Sequence, residues 1–155
     1  MQIKKILSSK EIKEIENIIR KNYDSSFKLR DYFVFLTADD KLWICSLDLK
    51  KIELKKLKRI NAIGLYFGKL KRNEKIQLSI EGSMLVGKTA KKNVAIVEKI
   101  EEYMEGKNVS CNCLNCEKDN FVIVKNCEDF FGTGVLRENC ILENILPKSR
   151  RLELK

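Results

Sequence analysis

The chain has 155 residues, 44% of them apolar, enough for one ordinary domain or two small ones. Lys and Arg number 31 against 22 Asp and Glu, and the net charge of +9 makes a polyanion the first partner to expect, nucleic acid before a membrane surface. No apolar run approaches the roughly 18 residues of a spanning helix, and "MQIKKILSSKEIKE" lacks the apolar region and cleavage site of a signal peptide. A cytoplasmic chain with reduced cysteines and no membrane role is therefore expected.

The first element is a helix. In "LSSKEIKEIENIIRKNY", Ser8 and Glu11 have the spacing of a capping box and Leu7 and Ile12 that of a hydrophobic staple. Ile12, Ile15, Ile18 and Ile19 then form one apolar stripe at helical period. "SFKLRDYFVFLTADDKLWICSL" reads as a hairpin, with Phe33 and Phe35 on one face, Val34 and Leu36 on the other, and a turn at Ala38-Asp39-Asp40. "DLKKIELKKLK" has the spacing of a short helix with Leu49, Ile52 and Leu57 inward. "AIGLYFGKL" and "KIQLSI" are two further strands around a turn at "KRNE". Between Lys50 and Lys75 the chain carries ten Lys or Arg against Glu53 and Glu74 alone. Lys55, Lys58, Arg59, Lys69, Lys71 and Arg72 are the candidates there for a phosphate-contacting surface, set against the plainer reading of a solvated basic face.

"EGSMLVGKTAKKN" is polar, has glycines and lacks strong periodicity, so it is read as the linker. Gly82 to Thr89 matches the letters of a phosphate-binding loop, G-x-x-x-x-G-K-S/T. Its context does not fit, because a strand rather than a long helix follows. After it come "NVAIVEK" (strand), "IEEYMEG" (short helix), "NFVIVKN" (strand), "DFFGTGVLREN" (a strand with alternating glycines) and "CILENILPKSRRLELK".

The order of this second half resembles a PUA domain, the small pseudo-barrel named after pseudouridine synthases and archaeosine transglycosylases. The residues that carry the resemblance are "YMEGKNV", "NFVIV" and the glycine strand "FFGTGVLRE". The first half, with its helix, hairpin and "GLYFGKLKRNEKIQLSIEGSMLV", is similar to the N-terminal domain of the Nip-seven family, ribosome-biogenesis factors of eukaryotes and archaea that end in a PUA domain. The resemblance implies an α+β protein: an N-terminal domain over residues 1–90, a helix with antiparallel strands, and a PUA pseudo-barrel over residues 91–155. It implies a non-catalytic RNA-binding role in ribosome biogenesis, in pre-rRNA and large-subunit assembly or on another structured RNA, with the RNA bound mainly through the PUA domain and a protein partner on the first domain. It also implies RNA contacts at Lys107, Asn108, Gly132, Gly134, Arg137, Lys148, Arg150, Arg151 and Lys155, with the strand glycines letting the RNA-facing helix or backbone approach closely. Arg150 and Arg151 are expected to touch phosphates as an exposed terminal pair with little weight in stability.

The segment "CNCLNC" departs from that pattern, and two readings stay open for it. Cys113 and Cys116 form a C-x₂-C pair, with Cys111 beside them and Cys127 able to supply a fourth zinc ligand. No second such pair and no histidine is present, so the thiols also fit as small apolar side chains, with no cofactor at all. Two alternative functions follow, an accessory subunit of an RNA-modification enzyme and a zinc-dependent protein-interaction module. The absence of histidine and of any nucleophile–base pair argues against catalysis by this chain.

Overall fold

The structure, a computed structural model, describes residues 2–48 and 64–153. The helix expected around Leu49 to Leu57 lies outside the described residues, as do Lys55, Lys58, Arg59 and Lys155. The fold is α+β. An N-terminal antiparallel sheet with helices is followed by a six-stranded, nearly closed pseudo-barrel.

The first sheet has five strands in sequence order: β1 (Ile3–Ile6), β2 (Phe33–Thr37), β3 (Lys41–Cys45), β4 (Leu65–Lys71) and β5 (Lys75–Leu78). Helix α1 (Ser9–Tyr23) lies on one face of it. The capping box forms as its spacing required: Ser8 Oγ accepts from Glu11 N–H, and Glu11 Oε1 accepts from Ser8 N–H. Ile15, Ile19 and Tyr23 bury the helix against Val34, Leu42, Ile44, Phe67, Ile76 and Leu78. Each such side chain fully removed from water contributes on the order of 1.5–3 kcal/mol before entropy is subtracted. Strand β1 was not legible in the sequence, because "IKKI" has no alternation long enough to register.

The second sheet runs in the order β7-β11-β10-β9-β6-β8, from β6 (Val94–Ile96), β7 (Val109–Ser110), β8 (Asn112–Leu114), β9 (Phe121–Asn126), β10 (Asp129–Leu136) and β11 (Ile141–Glu143). Strands β6 and β9 are parallel and the other pairs antiparallel. The two edge strands, β7 and β8, are neighbours in the chain with only Cys111 between them, so this cysteine joins the two ends of the sheet. Inside lie Ala95, Val97, Tyr103, Val122, Val124, Leu136 and Leu142; Tyr103 comes from α3 (Ile100–Met104).

The first half of the segment read as a linker is instead a helix, α2 (Ile80–Gly87), packed against β4 and β10, while residues 88–93 form the turn leading to β6. Its lack of periodicity has a physical cause: it is enclosed on more than one side, so it needs small residues rather than one apolar stripe. A Cβ on Gly82 would sit 2.0 Å from Phe67 O, and one on Gly87 2.6 Å from the Phe130 ring. Buried Ser83 donates to Ile80 O and accepts from Gly132 N–H. The phosphate-loop reading has no support in this layout, since Lys88 and Thr89 follow a helix instead of opening one.

Residue 90 separates the two sheets, yet the apolar core crosses it. Val94 and Ile123 of the second sheet belong to the first core, with Phe130 packed against it. Lys91 and Lys92 N–H both donate to Tyr23 O at the end of α1, and Asn93 Nδ2 donates to Asn22 O.

Candidate nucleic-acid interface

Antiparallel pairing places directly opposed residues on the same face of a sheet. On the first sheet this gathers Lys41, Lys69 and Gln77 into one row across β3, β4 and β5. Lys71 and Lys75 form the next row on the same side, and Trp43 opposes Tyr66. The alternate positions, Leu42, Ile76 and Leu78, point into the core, so this face is the one turned away from α1. The Trp43 and Tyr66 rings are 5.6 Å apart, and Lys41 Nζ stands 5.7 Å from the Tyr66 ring centre, within cation–π range.

This face runs into a groove of about 290 Å³ between the two sheets. Lys41, Tyr66 and Gln77 form one wall, the start of α2 and the bulged part of β10 the floor, and Pro147, Ser149 and Arg150 the other wall. Arg150 reaches across it, with Nη1 2.8 Å from Glu81 Oε1. Ser79 caps α2 by accepting from Gly82 N–H, which spends its hydroxyl on the fold. Lys41 is held by Asp39 at 2.9 Å, and Asp39, bonded by the Thr37 hydroxyl and by Lys41, has its carboxyl lowered to about 2. Trp43 packs into the apolar cluster of Phe33, Phe35 and Cys45, so the lysines, the Tyr66 ring and the Gln77 amide make up the surface, a combination that accepts phosphates, a base face and base edges.

The site residues expected from sequence divide into distinct groups. Lys148 and Arg150 lie on a 3₁₀ turn (Lys148–Arg150) at the rim of the groove, and Gly132 contributes backbone to its floor. Lys69 and Lys71 stand on the basic face, with exposed Arg72 in the β4–β5 turn. Lys107 pairs with Glu105 at 3.0 Å, and Asn108 Oδ1 accepts from Asn144 N–H, so both brace the loop before β7. Arg137 is held between Asp119 (2.8 Å) and Glu143 (2.6 Å) and does not line the groove.

The close approach expected at the strand glycines is present: Gly132, at φ +87, lies beneath α2, and a Cβ on Gly134 would lie 2.6 Å from Leu142 of β11. One expectation needs correction. Arg150 and Arg151 are not an exposed pair. Arg151 Nε donates to Leu146 O at 3.0 Å, its stem lies over Gly106, and Leu152 N–H donates to Met104 O. The tail is fastened to the barrel by Arg151, and only Arg150 faces the groove.

Sequence reasoning missed Lys41, Tyr66 and Gln77, while Lys75 closed the basic stretch it did single out. The signal was the alternation in "KLW" and "YFGK", which becomes a surface only when the strand register is known.

Three of the cysteines cluster at the barrel seam. Cys111 Sγ is 3.6 Å from Cys113 Sγ and 3.4 Å from Cys140 O, and Cys116 Sγ donates to Val94 O at 3.3 Å. Burial, and then the neighbouring thiols, push Cys111 and Cys116 up to about 12. Cys127 is exposed in the β9–β10 turn. It lies two strands from Cys111, roughly 10 Å at ordinary strand spacing.

Among the described residues, no helix is long and apolar enough to cross a membrane. In comparisons with known proteins, no family model and no curated protein matches the chain.

Proposed function

We propose that this chain is a non-catalytic, cytoplasmic RNA-binding protein of ribosome biogenesis, in line with its resemblance to the Nip-seven family. The observation that carries the reading is the basic and aromatic face of the first sheet running into the groove that Arg150 borders. Phosphates of a structured RNA sit along Lys41, Lys69 and Arg150. Tyr66 offers a ring to an unstacked base, and Gln77 offers an amide to its edge. The lysines release counterions from the RNA, so affinity falls with salt. The site therefore draws on both sheets, with the tail acting as one wall.

Fluorescence anisotropy with a labelled structured rRNA fragment tests this on the full chain. Lys41→Ala/Lys69→Ala is expected to weaken binding and make the log–log salt dependence shallower by roughly two units, about one for each phosphate left without its lysine. Tyr66→Ala is expected to weaken binding with the salt slope unchanged. Binding and salt slope equal to the parent in all three substitutions would remove the face as the site.

A further inference from the structure

Zinc held by sulfur alone needs four thiolates around one point, with Zn–S of about 2.3 Å and hence neighbouring sulfurs about 3.8 Å apart. The chain has six cysteines and no histidine, so any such site must be all-cysteine. Cys111 and Cys113 are two apart on the strand that closes the barrel, and their sulfurs are already 3.6 Å from each other. Cys113, Leu114, Asn115 and Cys116 then make a tight turn with Asn115 at φ +51, which folds the Cys116 thiol back onto β6, 3.3 Å from Val94 O, next to the strand position that pairs with Cys113.

The fourth cysteine comes from across the seam. Cys111 N–H donates to Cys140 O at 3.0 Å, continuing the β7–β11 ladder by one residue, so Cys140 stands opposite Cys111. Cys111 Sγ lies 3.4 Å from Cys140 O, and Cys140, at φ +55 just before β11, is exposed at the seam. Cys127, the fourth ligand expected from sequence, sits at the other end of β9 from the turn that holds Cys116. The backbone thus assembles three ligands from the β7–β8 edge and one from the β10–β11 connection.

We propose that Cys111, Cys113, Cys116 and Cys140 form a zinc site that staples the seam of the pseudo-barrel. Among the described residues no three ligands yet surround one point. The thiols face carbonyls instead: Cys116 donates to Val94 O and Leu114 O, and Cys111 to Cys140 O. Four thiols release four protons as one Zn²⁺ binds, leaving a tetrathiolate of charge −2 with all four positions filled by protein. Such a closed site is structural and has no open position for catalysis. It ties both edge strands to β11 where the barrel lacks its final strand pairing.

Cobalt(II) reports this geometry directly, through visible absorption and sulfur-to-metal charge transfer that a tetrahedral thiolate site produces. Reduced, metal-free full-length protein is titrated with Co²⁺ and then Zn²⁺, beside Cys140→Ser and Cys127→Ser. Expected are one equivalent of tetrahedral cobalt displaced by one of zinc in the parent and in Cys127→Ser, and loss of the four-sulfur spectrum in Cys140→Ser. Cys140 is exposed, and circular dichroism checks that its variant is folded. Should that variant not fold, the four-sulfur spectrum kept or lost in Cys127→Ser carries the reading, since that variant removes the competing fourth thiol. Absence of a tetrahedral spectrum in the parent, or equal spectra in Cys140→Ser and the parent, overturns the proposal. RNA binding is measured separately, and none of the four cysteines lines the groove, so either reading can fail alone.

Discussion

Arg150 and Arg151 are adjacent in sequence and opposite in role. Arg151 joins three parts of the second half: the Leu146 carbonyl, the turn at Gly106 and the chain leading to Leu152. Arg151→Ala removes one hydrogen bond and the packing of a long stem, at about 1–2 kcal/mol. A drop of roughly 2–6 °C in Tm is expected, readable by calorimetry. Arg150→Ala deletes a half-exposed ion pair with Glu81 and should change stability by less than about 0.5 kcal/mol. Its effect belongs in RNA affinity and in a salt slope shallower by roughly one unit. The buried thiols give a second test, on metal-free protein. Cys111 and Cys116 hold their protons above the ordinary value of 9.0 because burial disfavours the thiolate. The stability they contribute is complete below pH 9 and drains as the pH climbs from 9 toward 12. Urea midpoints should therefore fall more steeply above pH 9 in the parent than in Cys111→Ala/Cys116→Ala, whatever the cost of the cavity at neutral pH.

Helix α2 decides between two opposed effects at one position. Alanine in place of glycine inside a helix gains about 1 kcal/mol of propensity. At Gly82 the added methyl would meet the Phe67 carbonyl oxygen at 2.0 Å, a backbone atom that cannot rotate away. Overpacking of this kind typically costs about 1–3 kcal/mol and should win here. Gly82→Ala is thus expected to lower the urea midpoint, and an increase would show that α2 sits less tightly than its contacts indicate. The same element carries the groove's floor, so its displacement should also weaken RNA binding.

The molecule is joined at Asn93. This residue is fully buried at φ +55; its side chain donates to Asn22 O at 2.6 Å and accepts from Glu117 N–H at 2.8 Å. Its main chain bonds Asn115 O and Ile123 N–H. One side chain thus links the end of α1 to the start of the barrel, beside a core that Val94 and Ile123 share with the first sheet. Asn93→Ala removes both side-chain bonds and strains the backbone, at about 2–4 kcal/mol. Asn93→Gly removes the bonds while tolerating the positive φ, and should be the milder of the two. The two halves are expected to unfold together. Trp43 is the only tryptophan and reports the first sheet, so its fluorescence should coincide with far-UV dichroism through the urea transition. Two separate transitions would show that the shared core does not bind the halves into one unit.

What the sequence determined by itself was local or periodic. The Ser8–Glu11 cap, the isoleucine stripe of α1, the hairpin at Asp39-Asp40 and the apolar strand at Phe121–Asn126 each follow from short-range spacing and form as expected. Net charge of +9 pointed to a polyanion before any residue was placed. The tertiary structure decided whatever depends on which strands meet. Helix α2 escaped the sequence because burial on several sides replaces an apolar stripe with small residues. Lys41, Lys69 and Gln77 are distant in the chain and become one row only through the register of three strands. Cys140 lies 24 residues beyond Cys116 and reaches the thiol cluster because β11 pairs with β7. Spacing along a chain encodes contacts within a helix or a turn; contacts across a sheet are set by pairing, which local spacing does not encode.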